Sequence, residues 1–198
     1  YAVYPVENKK AYRKAGPTDL VRLLPAPGGN SLFIQKWILE AFFMAITQHE
    51  FIHLSGPTGS AKTSLIEALY SVPENFASLC TGLGITPKPF ELHPVEMAIH
   101  DTPGELIQRR AIKDGTTFDE ESLLVQSIRK ATQQRDDAIC AVWLREVGRM
   151  HSDSIQGGLL NLMTTGEIRL PSGETLQGHN ITWIADSNYQ AEDDSVHT

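Results

Sequence analysis

The stretch Phe51-Ile52-His53-Leu54-Ser55 followed by Gly56-Pro57-Thr58-Gly59-Ser60-Ala61-Lys62-Thr63 constrains this chain more than any other. A short apolar run that ends in glycine suits a strand buried in a parallel sheet. Residues from Thr63 to about Tyr70 then read as a helix. Glycines between a strand and a helix let the backbone curl until successive N–H groups point at one anion. The helix start adds its partial positive charge. In such a loop Lys62 is a compact charge for the β- and γ-phosphates, and the Thr63 hydroxyl is a Mg²⁺ ligand. The expected ligand is therefore a nucleoside triphosphate with Mg²⁺. Its expected contacts are Gly56, Pro57, Thr58, Gly59, Ser60, Ala61, Lys62, Thr63 and Ser64, with Thr63 on the metal. The pattern has glycine before the lysine, where this chain has Ala61. A Cβ fits there only if the local φ and ψ suit an L-residue, so reduced or adjusted affinity is expected. The competing reading, a turn with a chance lysine, does not explain Lys-Thr in register between strand and helix.

The rest of the chain alternates strands with helices. Residues 1–30 are rich in Pro, Gly and charge and read as an extended N-terminal segment, with 31–198 as one domain. Ser31 is placed to cap a helix to about Gln48, with Phe33, Ile34, Trp37, Ile38, Ala41 and Phe42 at helical spacing. Residues 71–90 read mostly as loop, with a second strand over Phe90–Leu92. The segment Asp101–Phe118 also reads as loop, with a short helix over Glu105–Ala111. Thr117-x-x-Glu120 resembles a capping box for a helix to about Gln134. Ala138–Leu144 reads as a buried strand and Ser152–Thr164 as a helix carrying Leu159, Leu160 and Met163. A hairpin over Glu167–Leu170 and Glu174–Gln177 comes next, then a last strand, Ile181–Ala185. The expected fold is α/β, a P-loop NTPase-type, mostly parallel sheet with helices on both faces. Ligands gather at the carboxyl ends of such strands. There the sequence offers Arg145 and Glu146 after one strand, and Asp186, Ser187 and Asn188 after another. Hydrolysis of a triphosphate needs an acid near Mg²⁺ and a residue that polarises water. Glu146 is placed to act on water, and Asn188 to hold it or to touch the γ-phosphate. Asp136 and Asp137 precede their strand and fall at the wrong end of the sheet.

This ordered set resembles an AAA+ ATPase, within that group the MoxR branch and its dynein- and midasin-type relatives. In that branch an apolar strand ends in Asp-Glu, and is succeeded by a helix, a hairpin and a strand ending at the sensor 1 asparagine. Here the segments stand as Val142-Trp143-Leu144-Arg145-Glu146-Val147-Gly148-Arg149-Met150, Gly158-Leu159-Leu160-Asn161-Leu162-Met163 and Ile181-Thr182-Trp183-Ile184-Ala185-Asp186-Ser187-Asn188. The resemblance spans about Ser31 to Asn188. It implies ATP as the nucleotide and Lys62, Glu146 and Asn188 as the catalytic set. It also implies a homo-oligomeric ring in the full-length protein, with the remodelling or assembly of a protein client as its work. A helical lid and an arginine finger normally come after sensor 1; the chain stops ten residues past Asn188 and, starting at Tyr1, reads as an AAA+ core cut from something longer.

The family aspartate of this strand is Arg145 here, which reverses the local charge. Binding with weakened hydrolysis is the favoured reading. The others are that Arg145 swings away and Glu146 still works, that Arg145 pairs with Glu146 and neutralises it, or that the module is a nucleotide-gated scaffold without turnover. A P-loop kinase would need an acceptor pocket and a lid, of which the sequence gives no sign.

Composition narrows the partners. The formal net charge of −7 makes nucleic acid an unlikely ligand, apart from a local patch. Arg109, Arg110 and Lys113 form a basic cluster, expected in a solvated loop, with a substrate or partner contact as the other reading. The longest apolar run, Phe42–Ile46, is too short to span a bilayer, and with no signal peptide the default home is cytoplasmic. Cys80 and Cys140 read as buried structural thiols. His93, His100 and His179 have no ligand spacing with them, and His53 reads as a core or sheet-face histidine. Arg149 is open to two readings, a subunit-interface residue or a plain surface arginine.

Overall fold

The structure, a computed structural model, describes residues 20–25, 28–99, 102–149, 159, 162 and 164–188. Its centre is a four-stranded, all-parallel sheet in the order β3-β10-β7-β4. The strands are β3 (Phe51–Gly56), β4 (Phe90–Glu96), β7 (Ile139–Arg145) and β10 (Thr182–Asn188). The two inner strands are buried on both sides: Cys140–Leu144 and Thr182–Asp186 are buried without a break.

Side-chain alternation divides the core in two. Ala141, Trp143 and Ile184 face the helices α1 (Lys36–Thr47), α2 (Lys62–Ser71) and α3 (Pro73–Gly82). Cys140, Val142, Leu144, Trp183 and Ala185 face α4 (Leu123–Gln134) and the hairpin of β8 (Glu167–Arg169) and β9 (Thr175–Gln177). Each helix turns an apolar stripe inward. In α1 it is Leu39, Phe42, Phe43 and Ile46, and in α4 it is Leu124, Val125, Ile128 and Ala131. Arg129 on α4 forks onto both Glu174 oxygens at 2.7 Å and also pairs with Glu121 at 2.7 Å. These two carboxylates hold its guanidinium pKa well above the usual arginine range.

Several expectations from the sequence need correction. The helix expected from Ser31 begins at Lys36. Leu32–Gln35 is instead a strand, β2, paired antiparallel with β1 (Leu20–Leu23), so part of the N-terminal segment is ordered. Pro73 does not mark a loop. It opens α3 in the first turn, where its missing N–H costs nothing. The strand expected to end at Leu92 continues through Pro94 to Glu96, as an edge strand permits. The segment expected as loop and short helix is a 3-10 turn, Pro103–Leu106, and a hairpin of β5 (Gln108–Lys113) and β6 (Thr116–Glu121). Its turn is Asp114-Gly115, both with positive φ (52° and 76°). The capping box at Thr117 therefore lies in a strand. The cap of α4 is Ser122, whose Oγ accepts from the Val125 N–H. Arg109 and Arg110 lie on β5, not in a loop, and pair across it with Glu120 and Asp119. The last strand runs past Ala185 to Asn188. Of the helix expected over 152–164, most lies outside the described residues; Leu159 and Leu162 are helical and buried.

Asn75 ties the N-terminal hairpin to this core. Its buried side chain accepts from Leu24 N at 2.8 Å and donates to Leu24 O and Ala68 O at 2.9 Å each. Removing it leaves three backbone groups short of a partner. Asn75→Ala should lower the unfolding free energy by about 3 kcal/mol, read as a lower urea midpoint at unchanged slope.

Candidate functional site

The loop Gly56–Ala61 connects β3 to α2 at the carboxyl end of the parallel strands. Its shape depends on small residues at defined points. A Cβ on Gly56 would meet Ser60 Oγ at 2.9 Å, so a side chain there would have to turn that hydroxyl aside. Gly59 has φ +82°. Ser60 N donates to Pro57 O at 3.2 Å, and Leu65 N donates to Ala61 O at 2.9 Å as the first bond of α2. Lys62 folds into the concavity: its ammonium donates to Gly56 O at 2.8 Å, Pro57 O at 3.0 Å and Ser60 Oγ at 3.1 Å. No side chain caps α2 and its first turn holds no acid, so its leading N–H groups keep their positive end towards the loop. Thr63 and Ser64 sit in that turn. This cradle fits a phosphate chain.

Ala61 answers the question its sequence position raised. It is left-handed, at φ 64° and ψ 16°, the region where a Cβ is penalised and glycine is not. Ala61→Gly should therefore stabilise the protein by about 0.5–1 kcal/mol, the relief of the left-handed strain less the added chain entropy. A denaturant titration reads this directly.

The three other strands bring the remaining residues to the same end. Asn188 is in register with Gly56, next to the loop's first glycine. Glu146 comes directly after β7 with a left-handed backbone, φ 54°. Its N–H donates to Asp186 Oδ1 at 2.5 Å, and its Oε2 pairs with Arg149 Nη1 at 2.9 Å. Asp186 itself is 6% exposed. A 3-10 turn, Val147–Arg149, closes this corner, with Arg149 N bonded to Glu146 O at 2.9 Å.

Arg145 does not pair with Glu146. Its Nη1 lies 3.8 Å from Glu96 Oε2, its register partner on β4, and its guanidinium sits 5.0 Å from the Trp143 ring centre. It thus turns away from the loop strand, towards β4. Arg149, left open by the sequence, is the partner of Glu146. An arginine cannot ligate a metal, so position 145 does not fit the acidic half of a Mg²⁺ site. The sequence reading missed Asp186 as a site residue. An aspartate directly after an apolar strand was the available signal.

Other candidates lie elsewhere. His53 is on the sheet face, its Nε2 2.9 Å from Ser187 Oγ. Cys80 and Cys140 are buried free thiols; burial raises both, Cys140 to about 11. An apolar groove lined by Tyr70, Pro73, Phe76 and Phe90 opens at the start of β4, away from the loop. Among the described residues no helix is long and apolar enough to cross a membrane.

Among known proteins, one similar solved structure is described as a "putative ATPase" from Cytophaga hutchinsonii, at 17% identity and a TM-score of 0.49. The likeness covers 83% of this chain and 41% of that one, so this chain spans less than half its length. No curated protein sequence matches. The sequence model of the AAA domain (dynein-related subfamily) matches residues 52–196, from the strand before the loop to beyond Asn188. The four-stranded parallel sheet, the phosphate cradle at its carboxyl end and this match over most of the sequence make the chain a member of the dynein-related subfamily of AAA domains.

Proposed function

We propose that this chain is an ATP-binding AAA+ module in which hydrolysis is slow. In the full-length protein its nucleotide state would drive remodelling or assembly of a protein partner, within a ring of like subunits. The observation that carries this reading is the inward-folded Lys62 ammonium in a loop that opens onto an uncapped helix start. Backbone N–H groups of Gly59, Ala61, Lys62, Thr63 and Ser64 would take the phosphate oxygens, and the Lys62 ammonium the β- and γ-phosphates. Thr63 would hold Mg²⁺, which when bound neutralises phosphate charge. Glu146 would polarise the attacking water, and Asn188, in register with Gly56, would orient it or the γ-phosphate.

Slow turnover is supported by two features. Glu146 pairs through Oε2 with Arg149, which draws on the carboxylate that would otherwise face a water. The strand position next to Glu146 is a guanidinium instead of an acid. The same features favour a second reading, a nucleotide-gated scaffold that binds ATP and does not turn it over. Titration calorimetry with Mg-ATP beside a phosphate-release assay separates them. Binding with slow release is the expected outcome. Binding without release selects the scaffold, and no binding overturns both.

A further inference from the structure

Placing Arg145 where the family has an acid raises the question of what balances the metal charge. Asp186 has the required chemistry. It lies on β10, the strand between the loop strand β3 and β7, in register with Leu54 on one side. On the other side it is one residue past the Ala185–Leu144 pair, level with Arg145. Asp186 is two residues from Ile184 and so shares its face of the sheet, the face of α2. Arg145 shares that face too, since it stacks on Trp143 of the same cluster. Asp186 and Arg145 are therefore side by side on the face of the sheet that carries α1, α2 and α3, with Asp186 one strand spacing, about 4.8 Å, nearer the loop strand.

The local charges are otherwise committed. Arg145 pairs with Glu96, and Arg149 with Glu146. Among the described residues Asp186 has no basic partner, and its one recorded bond is the Glu146 N–H on Oδ1. A carboxylate that is 6% exposed and forms no ion pair among the described residues is costly. Among the described residues no donor is seen on its second oxygen, whose lone pairs suit a metal or a metal-bound water. Mg²⁺ retains several waters and needs only one or two carboxylates.

We propose that Asp186 supplies the carboxylate that supports Mg²⁺ in this protein, the acid having moved from β7 to β10. This rests on the ATP-binding reading of the loop. The acid that supports the metal also holds the amide of Glu146, so one side chain links metal and water activation.

The test compares ATP affinity in Mg²⁺ and in EDTA by calorimetry, for the parent, Asp186→Asn and Arg145→Asp/Asp186→Asn, with thermal melts of each. Asparagine keeps an oxygen for the Glu146 N–H and loses only the charge. The parent should bind ATP more tightly in Mg²⁺ than in EDTA. Asp186→Asn should reduce the Mg²⁺ advantage by about tenfold or more and leave the EDTA affinity unchanged. The double variant, with an acid back on β7, should regain the advantage. Mn²⁺ bound with ATP, followed by electron paramagnetic resonance, should weaken in parallel. If Asp186→Asn keeps the full Mg²⁺ advantage, Asp186 only props Glu146 and the proposal fails. If the parent binds ATP equally well in EDTA and loses it in Arg145→Gln, the guanidinium stands in for the metal and the proposal fails. If no variant binds ATP in either condition, the reading of the loop falls, and this inference with it.

Discussion

Lys62→Ala is expected to weaken ATP binding by about 100-fold or more, the loss of two charge-assisted contacts at roughly 1.5–3 kcal/mol each. The effect has two parts. The ammonium attracts the β- and γ-phosphates, and it also covers the Gly56 and Pro57 carbonyl oxygens that line the concavity. Without it those oxygens face the phosphates directly, so attraction is replaced by repulsion. Lys62→Met, which keeps the aliphatic stem, should behave like the alanine variant. Calorimetry on both variants checks this; an affinity within threefold of the parent for either would mean that the loop does not hold the phosphates.

Glu146→Gln should lower phosphate release by about 10²–10⁴-fold, the usual contribution of a positioned base, with ATP affinity little changed. The glutamine cannot accept a proton from water. Its backbone remains held by the bond from its N–H to Asp186, so the turn after β7 keeps its place. The variant also frees Arg149 from its pair at 2.9 Å. A single-turnover assay with bound ATP reads the chemical step separately from release of product. Turnover equal to the parent would remove Glu146 from the reaction.

The inner elements were legible because their physics is local. Ile139–Leu144 is an unbroken apolar run, and a strand buried on two faces has that form, whereas Phe51–Gly56 lies at the sheet edge and alternates between buried and exposed residues. The loop was legible because glycine, lysine and threonine fall in register between a strand and a helix. What misled was punctuation. Pro73 and the glycines near it suggested loop, whereas proline in a first turn begins a helix. Asp114-Gly115 was a hairpin turn in plain view, but Arg109, Arg110, Asp119 and Glu120 look solvated until they are set opposite one another. Phe33 and Ile34 stand at helical spacing from Trp37 and Ile38, and the pairing of Leu32–Gln35 with Leu20–Leu23 overrides that. The site was half legible for a similar reason. Lys62, Glu146 and Asn188 could be placed by counting from strand ends. The turn of Arg145 towards Glu96 depends on β4 lying beside β7, and the nearness of Asp186 to Glu146 on β10 lying beside it. Strand order is a long-range property that no local spacing encodes.

The central position of β10 also sets the dimensions of the site. The loop Gly56–Ala61 leaves from β3 and Glu146 follows β7, and β10 is hydrogen-bonded to both strands. Two strand spacings, roughly 10 Å, therefore separate them. That gauge is fixed by ladder bonds, and it cannot widen or narrow without breaking them. Among the described residues, a change of distance between the loop and Glu146 would come from parts that sit on the sheet without belonging to it, such as the loop and the Val147–Arg149 turn.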